Sequence, residues 1–375
     1  MKDSGFSLPV TVCIIEGRTR LGNRAIRKKQ SKTKVLVLYN HVGEDEYEKL
    51  KDIDPSTLDF KPQYPIHVST VEEEYNAIVQ ALKREGFSAR AVNIEEDLSK
   101  LEHHLRRNPP DVVFNLVEFF HDTPALEGAV AGLYELLKIP YTGSTPFVLG
   151  LCQRKGLTKQ VLLANDVPTP RYHLFASASI PRRHGLRYPL IVKPPREDAS
   201  SGIEKESVVH NYNQLVKRVK NMLKEFRPPI MVEEFIEGRE LHVSVLGNDP
   251  PVVLPIIEFD FSEIPSGYPT IISYEAKWAP LQEAYHRVHS FCPAKLSKRV
   301  QRQVEQVALQ AYHVTGCRDY ARIDMRLDKK NRIYILEINP NPDLTESVSF
   351  MESAEKAGIS FSETLRRIVE FAMER

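Results

Sequence analysis

The chain has 375 residues, of which 42% are hydrophobic and 27% are charged. This length and composition predict a globular protein with about two to three compact lobes, each with a core of its own. The 51 basic and 50 acidic residues nearly cancel, so no overall electrostatic field attracts nucleic acid or an anionic membrane. We therefore expect neither as a partner, and any binding has to come from a local site.

The cysteines and the apolar runs bear on the compartment. Cys13, Cys152, Cys292 and Cys317 lie far apart and form no C-x-x-C pair, which argues against a zinc ribbon or a disulfide scaffold and favours a reducing environment. No apolar run approaches the roughly 18 residues that cross a bilayer. The apolar run over 10–15 is too short for the core of a secretory signal. We expect a cytoplasmic protein.

Residues 1–33 are rich in basic side chains and have little apolar periodicity after Ile15. The basic segment contains Arg18, Arg20, Arg24, Arg27, Lys28, Lys29 and Lys32, and it ends at Lys34. Because runs of like charge are usually solvated, we interpret 1–33 as a basic, loosely docked arm. A contact surface for phosphates or for a partner is the alternative.

Residues 34–146 alternate between strand and helix patterns. Strands are predicted over 34–39, 88–94 and 111–116, helices over 70–84 and 124–137, and a strand with a turn over 139–143. This order is the βαβ pattern of a parallel sheet flanked by helices. The polar stretch 41–68 contains Pro55, Pro62 and Pro65, and we interpret it as an insertion or a mobile loop.

A second lobe is predicted over residues 147–237, where the pattern becomes mixed. Helices are expected over 157–165 and 211–226, and strands over 188–193 and 230–236. Lys193 ends an apolar strand, and the small polar loop Ser200, Ser201 and Gly202 follows it. A lysine ammonium can bind a phosphate oxygen, and a Ser/Gly loop lets backbone N–H groups approach one closely. The pattern is typical of phosphate binding, and a lysine that caps a buried strand is the alternative.

The third predicted lobe, residues 238–375, contains the most informative pattern. Two alternating stretches, 319–327 and 333–339, flank the turn-rich segment 328–331, which predicts a β-hairpin. Because side chains repeat with period two along a strand, Arg322 and Asp324 share one face of the first strand, and Glu337 and Asn339 share one face of the second.

This hairpin predicts a magnesium site. A register centred on the turn sets Arg322 opposite Glu337, so that all four polar side chains converge. Mg²⁺ prefers oxygen ligands, and nucleotide phosphates and waters usually complete its shell. Asp324, Glu337 and Asn339 supply suitable oxygens. The alternative is a surface hairpin in which Arg322 and Glu337 form an ordinary cross-strand ion pair.

The motifs of several common enzyme classes are absent. The sequence contains no G-x-x-x-x-G-K-[ST], no G-x-G-x-x-G after a strand, no H-E-x-x-H and no G-x-S-x-G. A P-loop enzyme, a dinucleotide dehydrogenase, a zincin and an α/β-hydrolase are therefore all disfavoured.

An ordered set of motifs resembles the ATP-grasp superfamily, and within it the D-alanine–D-alanine ligases. The motifs are Lys155, Ile191-Val-Lys193-Pro, Val232-Glu233-Glu-Phe-Ile-Glu-Gly-Arg-Glu240, Tyr274-Glu-Ala-Lys277, Arg322-Ile-Asp324 and Leu336-Glu337-Ile-Asn339-Pro. The similarity covers residues 111–350. It implies an α/β and α+β architecture, the ATP-grasp fold, in which an N-terminal parallel α/β lobe precedes two mixed lobes that clasp ATP.

The resemblance also implies roles for individual residues. Lys155 and Lys193 would hold ATP phosphates, Glu233 with the backbone of Phe235 and Ile236 would receive the adenine, and Glu240 would hold the ribose. Ser200, Ser201 and Gly202 would cover the phosphates. Lys277 would approach the transferred phosphoryl group, and Arg322 would meet the developing oxyanion. Asp324, Glu337 and Asn339 would bind Mg²⁺, with two ions expected and Mn²⁺ as a substitute.

Departures from the family pattern concern the first substrate. The end of the first strand, Leu38-Tyr-Asn-His-Val-Gly43-Glu, lacks the family's glycine-rich segment and its glutamate. Ala199, Trp278 and Asp343 stand where the family has serine, tyrosine and glycine. A further difference is the segment from Glu118 to Gly128. These changes around one pocket argue against D-alanine as the first substrate.

We therefore expect an ADP-forming carboxylate–amine ligase that works through an acyl phosphate, with small-molecule acid and amine substrates. A D-alanine–D-alanine ligase is the first alternative, and an ATP-binding protein without ligase activity is the second. Homodimers are common in the family that the chain resembles, so a homodimer is compatible with this interpretation.

Overall fold

A computed structural model describes residues 32–43, 45–121, 123–197, 200–264, 267–346 and 348–375. The predicted basic arm lies outside these ranges except for its last two residues, and Ala199 lies outside them as well. Residues 33–375 form one compact unit. Among the helices of the described ranges, none is long and apolar enough to cross a membrane.

The first part of the chain forms a three-stranded parallel sheet, as the βαβ pattern predicts. Its strands are β1 (Lys34–Tyr39), β2 (Ser88–Asn93) and β3 (Val112–Leu116), in the order β2-β1-β3. Its helices are α1 (Val71–Arg84), α2 (Leu98–Arg106), α3 (Glu127–Leu137) and α4 (Pro146–Cys152). Thr70 and Glu73 form a capping box that fixes the start of α1. The predicted strand at 139–143 is a single parallel bridge between Tyr141 and Val113.

The alternation of β1 explains how helices cover both faces of this sheet. Val35 and Val37 pack with Ile78 of α1, whereas Leu36 and Leu38 pack with α2 and α3 on the other face. Both faces of β1 are thus buried, as expected for a parallel sheet between layers of helices.

The middle of the chain forms a four-stranded antiparallel sheet in the order β4-β7-β5-β6. Its elements are α5 (Lys155–Ala164), β4 (Tyr172–Phe175), β5 (Leu190–Lys193), β6 (Val208–Val209), α6 (Tyr212–Glu225) and β7 (Ile230–Glu234). Leu215, Val219 and Met222 lie on one face of α6 and pack on Val192 and Val232. The helix predicted over 211–226 and the strand predicted over 230–236 are thus confirmed.

The last part of the chain forms a sheet in the order β11-β10-β8-β12-β13, with β9 paired to β8. Its strands are β8 (Gly238–Leu246), β9 (Val252–Val253), β10 (Ile257–Asp260), β11 (His289–Phe291), β12 (Tyr320–Asp328) and β13 (Ile333–Asn339). Its helices are α7 (Tyr274–Trp278), α8 (Glu283–His286), α9 (Lys298–Thr315), α10 (Ser349–Lys356) and α11 (Phe361–Met373). Helix α9 covers one face of this sheet with Val304, Ala308 and Tyr312, which leaves the opposite face for a site. The predicted domain limits at 146 and 237 stay predictions.

The hairpin of β12 and β13 is confirmed, but its predicted register is wrong. Arg322 lies opposite Asn339, and Asp324 lies opposite Glu337. Two local features each shift the pairing by one residue. The turn is centred later than predicted, and a β-bulge between Asp324 and Met325 adds one residue to β13. Because the shifts add up to two, Glu337 and Asn339 still point to the face that the alternation predicts.

The predicted insertion over 41–68 docks on the C-terminal part of the chain. It contains two 3₁₀ turns, Glu46–Asp52 and Pro55–Thr57. The backbone N–H groups of Gln63 and Tyr64 donate to His286 Nδ1 at 3.2 and 3.1 Å. Tyr64 also lies with its hydroxyl 2.7 Å from His289 Nδ1. These contacts attach the insertion to α8 and β11.

Candidate active site

One cavity of about 380 Å³ brings together residues from β5, β7, β8, β12, β13 and α7. Of the predicted site residues, the cavity is lined by Lys193, Ser200, Glu233, Phe235, Ile236, Glu240, Lys277, Arg322, Asp324, Glu337 and Asn339. Lys155, Ser201 and Gly202 lie outside this lining. A single cleft therefore joins Lys193 to Asp324 and Glu337.

Arg322 and Asp324 form a bidentate ion pair at the centre of the cavity. Arg322 donates from Nε to Asp324 Oδ1 at 2.7 Å and from Nη2 to Oδ2 at 2.9 Å. Asn339 Nδ2 donates to the same Oδ2 at 3.0 Å. The three side chains converge because they lie on facing positions of two paired strands.

Glu337 is held by a different cation. Its Oε2 lies 3.2 Å from Lys155 Nζ, which also donates to the backbone carbonyl of Glu197 at 2.6 Å. Burial alone would raise the pKa of Glu337, but Lys155, Lys193 and Arg322 hold it at about 2. Glu337 is therefore a carboxylate at neutral pH.

Glu233 is buried between two lysines. It is 1% exposed, and its carboxylate lies 2.7 Å from Lys159 Nζ and 3.2 Å from Lys193 Nζ. Burial lowers the pKa of Lys159 to about 8 in spite of this partner. Sequence reasoning assigned no role to Lys159. Its position four residues after Lys155 on α5 was the available signal, because residues at that spacing share a helix face.

Glu240 is paired with Arg326, another residue that sequence reasoning missed. Arg326 donates from Nε to Glu240 Oε2 at 3.1 Å and from Nη1 to the carbonyl of Ile236 at 2.9 Å. Its guanidinium also lies 4.7 Å from the centre of the Phe235 ring. Because side chains repeat with period two along a strand, Arg326 lies on the same face of β12 as Arg322 and Asp324. This repeat was the available signal.

His242 of β8 is a third residue of the cavity that the sequence did not single out. Its Nε2 lies 3.6 Å from Asp324 Oδ2, and its Nδ1 lies 3.1 Å from Ser349 Oγ. Burial, followed by the charges of Arg322 and Lys277, holds the pKa of His242 well below its usual value. The ring is thus neutral at neutral pH. A lone histidine in a strand gave no signal of this placement.

Lys277 and the small polar loop lie side by side. Lys277 is on the short helix α7, and burial, together with the charge of Arg322, lowers its pKa. Ser200 Oγ donates to the carbonyl of Ile272 at 3.1 Å, and Tyr274 N donates to the carbonyl of Ile203 at 3.0 Å. These bonds join the loop to the segment that leads into α7.

Gly202 is required by the conformation of this loop. Its φ is +71°, and a Cβ at this position would lie 2.8 Å from Phe226 Cζ. A side chain would be strained by the backbone conformation and would also collide with the ring. Ser201 lies in the same turn, between Ser200 and Gly202.

Comparison with known proteins agrees with this geometry. A sequence model of the family described as "D-ala D-ala ligase C-terminus" matches residues 161–370. A D-alanine–D-alanine ligase of Carboxydothermus hydrogenoformans is 32% identical over 80% of this chain and 92% of its own length. The chain belongs to the D-alanine–D-alanine ligase family.

Two further similarities extend the comparison. An uncharacterized protein, y4sG, of Sinorhizobium fredii is 32% identical over 80% of this chain and 87% of its own length. The structure of a D-alanine–D-alanine ligase of Bacillus anthracis complexed with ATP covers 92% of this chain and 98% of that chain, with a TM-score of 0.67 and 20% identity. The fold is therefore the ATP-grasp fold, as predicted.

Membership of the family defines the enzyme class. The protein is an ATP-grasp ligase that consumes ATP, releases ADP and joins a carboxylate to an amine through a carbon–nitrogen bond. Its substrates are small molecules.

The oxygen donors in the cavity of this member of the D-alanine–D-alanine ligase family fit a hard divalent cation. Asp324 and Glu337 provide carboxylate oxygens and Asn339 an amide oxygen, all at the lining of the cavity. Within the described ranges, no group of three or more His, Cys, Asp or Glu side chains converges as a metal cage. A site with few protein ligands is what Mg²⁺ uses when phosphates and waters complete its shell.

Three departures from the D-alanine–D-alanine ligase pattern lie near one another: Asp343, the segment that begins at Glu118, and the end of β1. Asp343 lines the main cavity and also a smaller neighbouring one of about 30 Å³, which Tyr75 and Glu118 also line. Asn40, at the end of β1, donates to the carbonyl of Phe119 at 2.8 Å and accepts from Glu118 N at 3.1 Å. Its side chain therefore holds the backbone of the neighbouring loop.

Proposed function

We propose that this protein is a carboxylate–amine ligase that works through an acyl phosphate and whose first substrate is an acid other than D-alanine. The observation that carries the proposal is the convergence of Lys193, Lys277 and Arg322 with Asp324 and Glu337 on one cavity. Three cations and two carboxylates from four separate segments fit a triphosphate with its metal better than they fit a structural ion-pair network.

The cations of the site support a role in phosphoryl transfer. A carboxylate is a poor electrophile, so the substrate acid is first converted to an acyl phosphate, and ADP leaves. Lys155 and Lys193, each within 3.2 Å of a carboxylate, would exchange these partners for phosphate oxygens. Mg²⁺, when bound to Asp324, Glu337 and Asn339, supplies further neutralising charge to the phosphates. We expect two ions, with Mn²⁺ as a substitute.

Arg322 serves the second half of the reaction. Attack of the amine on the acyl phosphate creates a tetrahedral oxyanion, which preorganised donors stabilise. The oxyanion then collapses to the amide, the bond from carbon to the phosphate oxygen breaks, and inorganic phosphate leaves. Arg322 is held in place by Asp324, so its remaining N–H groups would meet the oxyanion without reorganisation. A backbone N–H near Asp343 is the second expected donor.

The nucleotide end of the cavity lies at β7 and the start of β8. Because Glu233 keeps Lys159 as a partner when Lys193 binds phosphate, we assign adenine binding chiefly to the backbone of Phe235 and Ile236. Glu240 would accept hydrogen bonds from the ribose while it remains paired with Arg326. Ser200, Ser201 and Gly202 would close over the phosphates and exclude water, which otherwise hydrolyses an acyl phosphate.

The side of the cavity near Asp343 supports an acid that carries an amino group. Burial, followed by the charges of Asp343, Asp45 and Glu118, raises the pKa of Glu74 to about 7. These carboxyl groups would favour an ammonium and disfavour a second carboxylate. Their arrangement replaces the single glutamate of the family pattern, which supports a first substrate different from D-alanine.

A D-alanine–D-alanine ligase is the second candidate, because relatives at 32% identity, such as that of Carboxydothermus hydrogenoformans, have that name. An ATP-binding protein without ligase activity is disfavoured by Arg322 and Lys277, since ATP binding alone has less need of them. A homodimer remains a prediction. The mass of the particle that the full chain forms in solution tests it.

The test is ADP release with acids and amines added singly and in pairs, followed by the mass of the coupled product. The proposal predicts turnover that needs two different substrates and a product that is not D-alanyl-D-alanine. Turnover with D-alanine alone would restore the second candidate. Binding of ATP without turnover for any pair of a broad panel would contradict the ligase assignment.

A further inference from the structure

The cavity continues beyond the reaction centre into a region that the proposed function does not use. We call this region the distal arm; it is lined by Tyr64, Tyr285, Ser290, Ser349 and Glu352. None of these residues belongs to the motifs that bind the nucleotide or the metal. The distal arm is therefore available to a substrate.

His242 connects the reaction centre to the distal arm. One nitrogen of its ring is 3.6 Å from Asp324, and the other is 3.1 Å from Ser349 Oγ. Ser349 and Glu352 are three residues apart on α10 and so share a face of that helix. The lining thus leads from the proposed site of acyl transfer through His242 and along α10 to Glu352.

The insertion over 41–68 forms the outer wall of the distal arm. Tyr64 lines the cavity, and its hydroxyl is within hydrogen-bond distance of His289 Nδ1 and of the carbonyl of Val288. Its ring also contacts the ring of Tyr285 edge-on, with centroids 6.2 Å apart. The aromatic wall gives the distal arm a defined size and faces on which a cation can rest.

Glu352 gives the distal arm its charge. Its side chain is half-buried and accepts a hydrogen bond from Ser290 Oγ at 3.4 Å. The charge of Lys356, which is exposed and one turn further along α10, also acts on Glu352.

We propose that the distal arm receives the side chain of the amine substrate, and that Glu352 selects an amine whose side chain carries a positive charge. The inference rests on the proposed function, which requires two substrates at one centre. The smaller cavity at Asp343 lies on the side of the first-substrate departures, so the distal arm is left for the amine. An ammonium or guanidinium group that reaches Glu352 would form a charge-assisted hydrogen bond in a partly desolvated site.

The experiment measures binding rather than turnover. The full chain, saturated with Mg²⁺ and a non-hydrolysable ATP analogue, is titrated by calorimetry with lysine, norleucine and glutamate, each as both enantiomers. Lysine carries an ammonium group at the end of its side chain, where norleucine ends in a methyl group. The ratio of their dissociation constants therefore measures the contribution of the charge. We expect one enantiomer of lysine to bind about tenfold more tightly than the matching norleucine, and glutamate to bind least.

Two variants locate the preference. In Glu352→Gln, the lysine-to-norleucine ratio should fall to about one, while Glu355→Gln, an exposed carboxylate on the same helix, should keep the ratio of the parent chain. Circular dichroism of both variants shows whether they are folded. Equal binding of lysine and norleucine by the parent chain, or an unchanged ratio in folded Glu352→Gln, would overturn the proposal.

Failure of the two proposals is distinguishable. A lysine preference that depends on Glu352, without any coupled product in the turnover screen, would reject the ligase function but keep the distal arm as an amine site. Turnover with amines that lack a positive charge, at rates unaffected by Glu352→Gln, would reject the inference and keep the ligase.

Discussion

Arg322 and Asp324, two residues apart on one strand, form a bidentate pair at 2.7 and 2.9 Å. The same arrangement recurs through the cavity, because Lys155 pairs with Glu337 and Lys193 with Glu233. The lysines expected to bind phosphate are thus held by carboxylates, and one of these, Glu337, is also expected to bind the metal. Binding of a nucleotide with its metal would exchange these partners rather than create new charges in a buried site, which limits the desolvation cost.

We expect Arg322→Lys to lower kcat about 100-fold or more, with a smaller effect on the KM for ATP. A lysine keeps the charge but lacks the planar fork that binds Asp324 and the oxyanion together. Steady-state kinetics of ADP release measure both constants. A kcat within about twofold of the parent chain would remove Arg322 from the chemical step.

Lys159 and Lys193 contact the same carboxylate, yet we expect different effects when each is replaced. Lys159→Met should lower the free energy of unfolding by about 3 kcal/mol, because Glu233 would lose its closest buried partner. Lys193→Met should mainly raise the KM for ATP. Urea denaturation and ATP kinetics of both variants separate these effects, and the opposite assignment of stability and KM would contradict the structure.

Glu74 should make stability depend on pH. Its pKa is raised by burial, and then by the charges of Asp343, Asp45 and Glu118, to about 7 in the folded chain, against about 4.3 in an unfolded one. The folded state then binds more protons between these values, so the contribution of Glu74 to stability falls as the pH rises from about 4.3 to about 7 and is constant above that.

The measurement compares urea denaturation of the parent chain and Glu74→Gln at pH 5 and pH 8. We expect Glu74→Gln to have a higher free energy of unfolding than the parent chain at pH 8. At pH 5 this difference should be smaller. Glu72→Gln, an exposed change on the same helix, is the control and should show no such difference. An equal effect of Glu74→Gln at both pH values would mean that Glu74 titrates normally.

Glu337→Gln should raise the Mg²⁺ concentration needed for half-maximal turnover by about tenfold or more. The variant removes a charged oxygen ligand of the metal, which weakens the binding of a metal-bound nucleotide. ADP release at fixed ATP and increasing Mg²⁺ measures the change. Glu346→Gln, an exposed carboxylate further along the chain, should leave the Mg²⁺ dependence unaltered.

Local alternation and turn chemistry were enough to predict the βαβ order, the hairpin of β12 and β13, and the polar residues that share its faces. Motif order further identified the family. The register of the hairpin could not be predicted in this way, since a bulge between Asp324 and Met325 has no clear local signal. The tertiary structure decided the partners of Glu233 and the placement of His242 and Tyr64 at the cavity, because these contacts join segments far apart in the chain and depend on how the sheets and helices pack.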